Sequence, residues 1–230
     1  MISPNGPPVV AVDGPSGSGK GTVCRRLAQR LGWHLLDSGA LYRLVVLSGH
    51  LTGLAADDVA GHADLARGMR VVFGVRDDGS ERIQLDERDV TVLVRAEETG
   101  QGASRVAAWP EVRAALMDRQ RAFAAPPGLI ADGRDMGTVV FTGAALKIFL
   151  TATADERALR RYNQLKDKDS GVSLAALSRE IAERDMRDST RAVAPLRPAS
   201  DAFVIDSTGI PVEAVVERVI ELGHERALWR

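Results

Sequence analysis

Short apolar runs recur along the chain, with longer stretches of helical periodicity between them. Val9–Val12, Leu129–Ala131, Leu146–Leu150 and Ala202–Ile205 are each compatible with a strand and bounded by turn or polar residues, the pattern of buried strands in a parallel sheet. Val23–Leu31, Glu111–Phe123, Asp155–Leu165, Leu174–Arg187 and Pro211–Leu228 have helical length and carry apolar residues three and four apart. Pro110 suits a first helical turn, and Asp155 and Glu156 favour the positive end of the helix they open. The alternation predicts a three-layer α/β fold around a parallel core sheet.

One segment breaks this alternation. Arg70–Val75 and Glu81–Leu85 read as strands joined through Asp78-Gly79, which predicts an antiparallel hairpin. It falls within an excursion from about Leu41 to Val106, between the first and second core strands, and predicts a small inserted subdomain. A second excursion, Lys166-Asp-Lys-Asp-Ser-Gly171, is polar and lies between two arginine-bearing helices, a place for a mobile lid.

Composition narrows the partners. The chain has 230 residues, a length that suits one α/β domain with insertions. Its 30 Lys and Arg nearly balance 31 Asp and Glu, for a net charge of −1, so no global field favours nucleic acid or an anionic membrane. Small anionic partners held by local arginine clusters are expected instead. A single cysteine, Cys24, cannot form an internal disulfide, and no secretory or membrane-length apolar run is present. The protein therefore reads as soluble and cytoplasmic. Cys24 stands at helical spacing with Leu27, Ala28 and Leu31 and is expected in the core. His34, His50, His62 and His224 lack metal-ligand spacing and receive no role.

The strongest chemical signal is Gly14-Pro15-Ser16-Gly17-Ser18-Gly19-Lys20-Gly21-Thr22, directly after the first apolar run and before a helix. Strand, glycine-rich loop and helix in this order make a P-loop, in which backbone N–H groups surround phosphate oxygens and larger side chains would block their approach. Lys20 supplies a cation for the transferring phosphate. Gly21 stands where Ser or Thr is usual, and the hydroxyl arrives one residue later at Thr22. This Gly-Lys-Gly-Thr variant points toward small kinases acting on nucleoside monophosphates.

Three further clusters carry chemistry. After Trp33 a strand end turns into a helix through Asp37-Ser38-Gly39; Ser38 is a candidate helix cap, and Arg43 is either a phosphate clamp or a surface residue. Asp132, Arg134 and Asp135 follow a buried strand at the carboxyl edge, where parallel sheets bind ligands. Asp132 is placed like a Walker B acid near Mg²⁺, Arg134 suits phosphate, and Asp135 can accept hydrogen bonds from a base amine. Arg184, Asp188 and Arg191 stand at i, i+4 and i+7 and so share one helical face, able to converge on a ligand or to form a solvated charged surface. Arg157, Arg160 and Arg161 are a solvated helix face or cations closing over ATP, and spacing alone leaves both open.

Taken together these segments resemble bacterial cytidylate kinases, in the phosphate loop, Leu36–Arg43, Ile130–Thr138 and Arg184–Pro195. The resemblance spans nearly the whole chain. It implies a single domain over residues 1–230, with a P-loop core, a monophosphate-binding insert over about 38–106 and a lid over about 160–185. It also implies that Gly14 to Thr22 hold ATP and that Arg43 and Arg134 hold the acceptor phosphate. Ser38, Arg113, Asp135 and Arg191 would surround cytosine, and Ser104, Arg184 and Asp188 would reach the sugar. Lys20, Arg134 and Arg191 would be catalytic, with Mg²⁺ on Thr22 and Asp132 acting through water.

The reaction so implied moves the γ-phosphoryl group from Mg-ATP to CMP or dCMP, in a monomer without nucleic-acid polymer or membrane partners. A kinase for UMP, AMP or a small alcohol is the nearest rival, and the arginine pair favours a phosphorylated acceptor. A nucleotide-switch protein would carry an Asn-Lys-x-Asp guanine motif, and the chain has none.

Overall fold

Val9–Asp13 forms β1, buried at every position; a strand covered on both faces has no polar side, hence its unbroken apolar run. In chain order there follow helix α1 (Lys20–Leu31), β2 (His34–Asp37), α2 (Ser38–Leu51), α3 (Val59–Gly68), β3 (Val71–Val75), β4 (Glu81–Leu85) and β5 (Arg88–Asp89). Next come α4 (Thr91–Arg95), α5 (Glu97–Val106), α6 (Pro110–Arg121), β6 (Leu129–Gly133) and a π-helical turn at Met136–Val140. The chain continues through β7 (Leu146–Thr151), α7 (Ala154–Leu165), α8 (Leu174–Thr190), β8 (Phe203–Asp206) and α9 (Val212–Glu225). This computed structural model describes residues 6–76, 80–166 and 173–229. The Asp78-Gly79 turn and, beyond Lys166, the polar linker of the expected lid lie outside the described residues.

Two units make up the chain, Met1–Asp37 with Arg121–Arg230, and Ser38–Gln120. In the first, five parallel strands stand in the order β2-β6-β1-β7-β8. All four apolar runs expected as strands are in this sheet, and the strand end after Trp33 supplies the fifth. Val10, Val12, Ile148 and Leu150 of the sheet pack with Val23, Cys24 and Leu27 of α1 and Val215, Val216 and Val219 of α9. Cys24 is fully buried there, as its spacing predicts.

Helix α9 stops at Glu225 rather than Leu228 because the chain folds back. Trp229 meets Trp33 edge-on, with ring centroids 5.6 Å apart. It also covers Gly223, where a Cβ would lie 1.7 Å from the indole ring.

In the second unit α2 packs on α3 and α5, and β3, β4 and β5 form a small antiparallel sheet. The expected hairpin thus carries a third, two-residue strand. Such a strand is too short for periodicity, and its turn uses Asp86 and Glu87 at φ of 47° and 72°. Those values fit the positive-φ hairpin turn that Gly or Asn usually marks in a sequence.

Candidate active site

The parallel pairing of β1 with β6 and β7 aims the carboxyl ends of all three strands at one edge of the sheet, where the phosphate loop begins. Gly14 leaves β1 at φ 153°, and a Cβ there would lie 2.0 Å from the Leu150 carbonyl oxygen. Gly17, at φ 78°, would press its Cβ 3.0 Å from Arg157 Cβ. Both positions need glycine, on backbone angle and on space. Helix α1 starts at Lys20, three residues earlier than the apolar spacing indicates, so the loop amides stand at a helix N-terminus.

The loop's carbonyl oxygens are engaged by side chains. Lys20 Nζ donates to Pro15 O at 3.0 Å, Arg157 to Ser16 O at 3.2 Å, and Arg160 and the Ser207 hydroxyl to Ser18 O at 3.3 and 3.0 Å. Arg157 also forms a two-pronged pair with Asp185, at 3.0 and 2.6 Å, joining α7 to α8. Arg157 and Arg160 are therefore anchors of the phosphate loop, a role that neither open reading of these arginines contained. Ser207 was missed, since nothing in the sequence sets that serine apart. Among the described residues Ser18 Oγ is buried with no partner, which suits a phosphate oxygen. Beside it lies a cavity of about 610 Å³ lined by Gly17, Thr22, Asn163, Ser207, Ile210 and Pro211, among others, the size range of a ligand site.

Charge is concentrated under the loop. Burial drives the Lys20 ammonium down to about 8, helped by the neighbouring Arg134. Burial likewise pushes Asp132 up to about 6, with Lys20 opposing the shift. A Cβ on Gly21 would sit 3.3 Å from Asp132 Oδ2, so this carboxylate lies against the first turn of α1, where Thr22 carries its hydroxyl. Two hard oxygen donors suit Mg²⁺, which takes its remaining ligands from phosphates and water.

A carboxylate with a raised native pKa binds its proton more tightly when folded, so its charge lowers stability above about 6 and has no effect once both states are protonated. Asp132→Asn should thus stabilise the nucleotide-free protein by on the order of 1–3 kcal/mol near pH 8, and by less toward pH 4. Denaturant unfolding at both pH values checks this; equal destabilisation at both would contradict it.

Arg134 Nε pairs with Asp188 at 3.1 Å. Burial alone would raise Asp188, yet Arg134, Arg184 and Arg191 hold it below the ordinary carboxylate range. Helix α8 runs to Thr190, so Arg191 is the capping residue just past the helix rather than a member of its face. Its Nε donates to Ala194 O, and it still acts on Asp188. Asp135 is buried at the head of the π-helical turn. A carboxylate the sequence reading passed over, Asp13, accepts the N–H groups of Met136 and Gly137, both at 2.8 Å.

The remaining expected site residues lie in the Ser38–Gln120 unit. Ser38 and Ser104 are buried on α2 and α5. Arg43 donates to Val94 O and Ala96 O at 2.9 and 3.0 Å. Arg113, 4% exposed, reaches Tyr42 Oη and Ala107 O at 3.4 and 3.3 Å.

A phosphate loop between β1 and a helix, a buried lysine in it and a carboxylate at the end of the adjacent strand define a P-loop kinase fold. Residues 10–225 match the family model for cytidylate kinase. The chain belongs to the cytidylate kinase family. It is 58% identical over 224 residues to the cytidylate kinase of Pseudomonas aeruginosa, covering 96% of this chain and 97% of that one. With that of Stutzerimonas stutzeri it shares 53% over 229 residues, 99% of each. Among solved structures, an uncharacterized protein from Eubacterium ventriosum is similar in fold alone, at 13% identity and a TM-score of 0.51 over 94% of this chain and 97% of that one. Among the described residues no helix is long and apolar enough to cross a membrane.

Proposed function

We propose that the chain transfers the γ-phosphoryl group of ATP to CMP or dCMP, giving ADP and the pyrimidine diphosphate. The observation that carries this reading is the cluster in which Arg134, paired with the buried Asp188 at 3.1 Å, and Arg184 and Arg191 act on that one carboxylate, beside a loop built for phosphate. Arginines gathered beside such a loop suit a phosphorylated acceptor. Family membership supplies the cytosine and agrees with the Asp135 carboxylate as acceptor for its exocyclic amine. Uracil would present an oxygen there instead.

Catalysis of this kind is positioning plus stabilisation of charge on the transferring oxygens. The loop amides and Lys20 hold the donor phosphates, and Thr22 and Asp132 would hold Mg²⁺, which neutralises phosphate charge when bound. Arg134 is assigned to the transferring and acceptor phosphates, Arg191 to the transferring phosphate and the cytosine, Arg184 and Asp188 to the sugar, and the 610 Å³ cavity to the nucleoside of ATP. In the Ser38–Gln120 unit, Ser38, Arg43, Ser104 and Arg113 are assigned to the acceptor nucleotide. The described arms of α7 and α8, within about 160–166 and 173–185, are assigned to the lid that excludes water. A near-zero net charge gives no global field for nucleic acid or an anionic membrane, and the protein is assigned to act as a cytoplasmic monomer on free nucleotides.

ADP release with and without CMP tests the reaction. Release should depend on CMP by more than about a hundred-fold; equal release without acceptor would make the protein a hydrolase or a switch. A finer expectation concerns Gly100, where a Cβ would lie 2.6 Å from Arg43 Nη2 and 3.0 Å from Cζ. Gly100→Ala should turn the guanidinium and raise the KM for CMP by roughly three- to ten-fold with the KM for ATP unchanged. Steady-state kinetics with each nucleotide varied in turn would show it, and an unchanged KM for CMP would remove Arg43 from the acceptor site.

A further inference from the structure

Asp13, at the carboxyl end of β1, is a buried charged group to which the phosphate-transfer chemistry gives no task. It is 4% exposed, and both its oxygens are spent on backbone, Oδ1 on the N–H of Met136 and Oδ2 on that of Gly137. The ladder between β1 and β6 ends with Asp13 opposite Gly133. The sheet therefore fixes the chain as far as Gly133, and the Asp13 carboxylate fixes it again at Met136. Arg134 and Asp135 are the two residues strung between these anchors.

The turn that follows is π-helical, a form found mostly as single turns at functional sites. Its first N–H groups have no partner within the turn. Asp135 stands at the capping position, yet its side chain makes no capping bond. Asp13 does that work from the neighbouring strand, on the amides of Met136 and Gly137. The arrangement places two buried carboxylates close enough to repel, since Asp135 adds to the burial that drives Asp13 up to about 6. A fold that needed only an N-terminal cap would use Asp135 itself.

We propose that Asp13 is a positioning residue for base selection: by clamping the amides of Met136 and Gly137 it fixes the direction in which the Asp135 carboxylate meets the acceptor base. The inference rests on the reading of Asp135 as the acceptor for the cytosine amine.

Asp13→Asn tests it at constant side-chain size. An amide has one acceptor oxygen, so its nitrogen must face one of the two N–H donors and that clamp bond is lost. The expected result is a rise of about ten-fold in the KM for CMP and a fall of about ten-fold in the CMP-over-UMP ratio of kcat/KM. The KM for ATP should stay within about two-fold. A merely structural role would lower the active fraction and scale all acceptors alike, leaving ratio and KM values in place; that result overturns the proposal.

Asp135→Ala, run beside it, separates the two claims. If Asp135→Ala collapses the CMP preference and Asp13→Asn does not, the clamp fails and the base reading stands. An unchanged preference in Asp135→Ala removes both. Gly137→Ala disturbs the clamp from the other side, since its Cβ would lie 3.1 Å from Lys147 Cδ and 3.4 Å from Asp13 Oδ2, and the same loss of preference is expected.

The wild type itself gives a reading that needs no variant. The Met136 and Gly137 amides should exchange with solvent as slowly as those of Ile130 and Ala131, and fast exchange would overturn the proposal.

Discussion

Lys20→Met is expected to fold, to melt at or above the wild-type temperature at neutral pH and to lose about 10²- to 10³-fold in kcat. The ammonium is buried on the Pro15 carbonyl oxygen and held down to about 8 by that burial, with Arg134 adding to the shift. A cation whose native pKa is depressed binds its proton less tightly when folded, so its charge lowers stability throughout the range below about 8. Methionine removes that penalty and the chemistry together. Thermal unfolding at neutral pH and single-turnover phosphoryl transfer check both halves. In the wild type, kcat/KM for ATP should fall as pH rises through the same value, because deprotonation of the free protein removes the charge that the incoming phosphates meet. A variant that keeps kcat within about ten-fold would take Lys20 out of the transfer step.

Gly14→Ala should be the most damaging single-methyl change in the chain. The added Cβ would lie 2.0 Å from the Leu150 carbonyl oxygen, at φ 153°, and that oxygen belongs to the strand paired with β1 and has no room to retreat. A loss of more than about 3 kcal/mol and of detectable ATP binding is expected. Gly32→Ala provides the internal comparison, since Gly32 also has positive φ, 64°, but nothing lies within 4 Å of its added Cβ. Its cost should be about 1 kcal/mol, from backbone conformation alone. Denaturant unfolding of the pair separates collision from conformation, and equal losses would mean that the loop can shift to admit the methyl group.

What was legible in the sequence follows from how far each interaction reaches along the chain. The phosphate loop is contiguous, and its glycines, lysine and preceding strand announce themselves within fifteen or so residues. The core strands are legible because burial on both faces forbids polar positions. The clamps were not. Arg157 meets Ser16 across 141 residues and Asp13 meets Gly137 across 124, and no local pattern marks an arginine or aspartate whose partner is a distant backbone atom. Helical spacing put Arg184, Asp188 and Arg191 on one face; the chain leaves the helix at Arg191, yet the charges still converge because the tail turns back, with the Leu196 N–H on the Asp188 carbonyl oxygen. The third strand, β5, escaped because its turn employs Asp86 and Glu87 at positive φ, where sequence cues look for glycine.

The central claim is that this member of the cytidylate kinase family phosphorylates a cytosine nucleotide and recognises its base. The most direct measurement is kcat/KM for CMP, dCMP, UMP and AMP at saturating Mg-ATP, with each diphosphate product separated and identified. CMP and dCMP should exceed UMP by about a hundred-fold or more and AMP by a larger factor, since a site that accepts a hydrogen bond from an amine leaves uracil's oxygen facing an oxygen. Comparable values for all four acceptors, or a preference for UMP or AMP, would contradict the account.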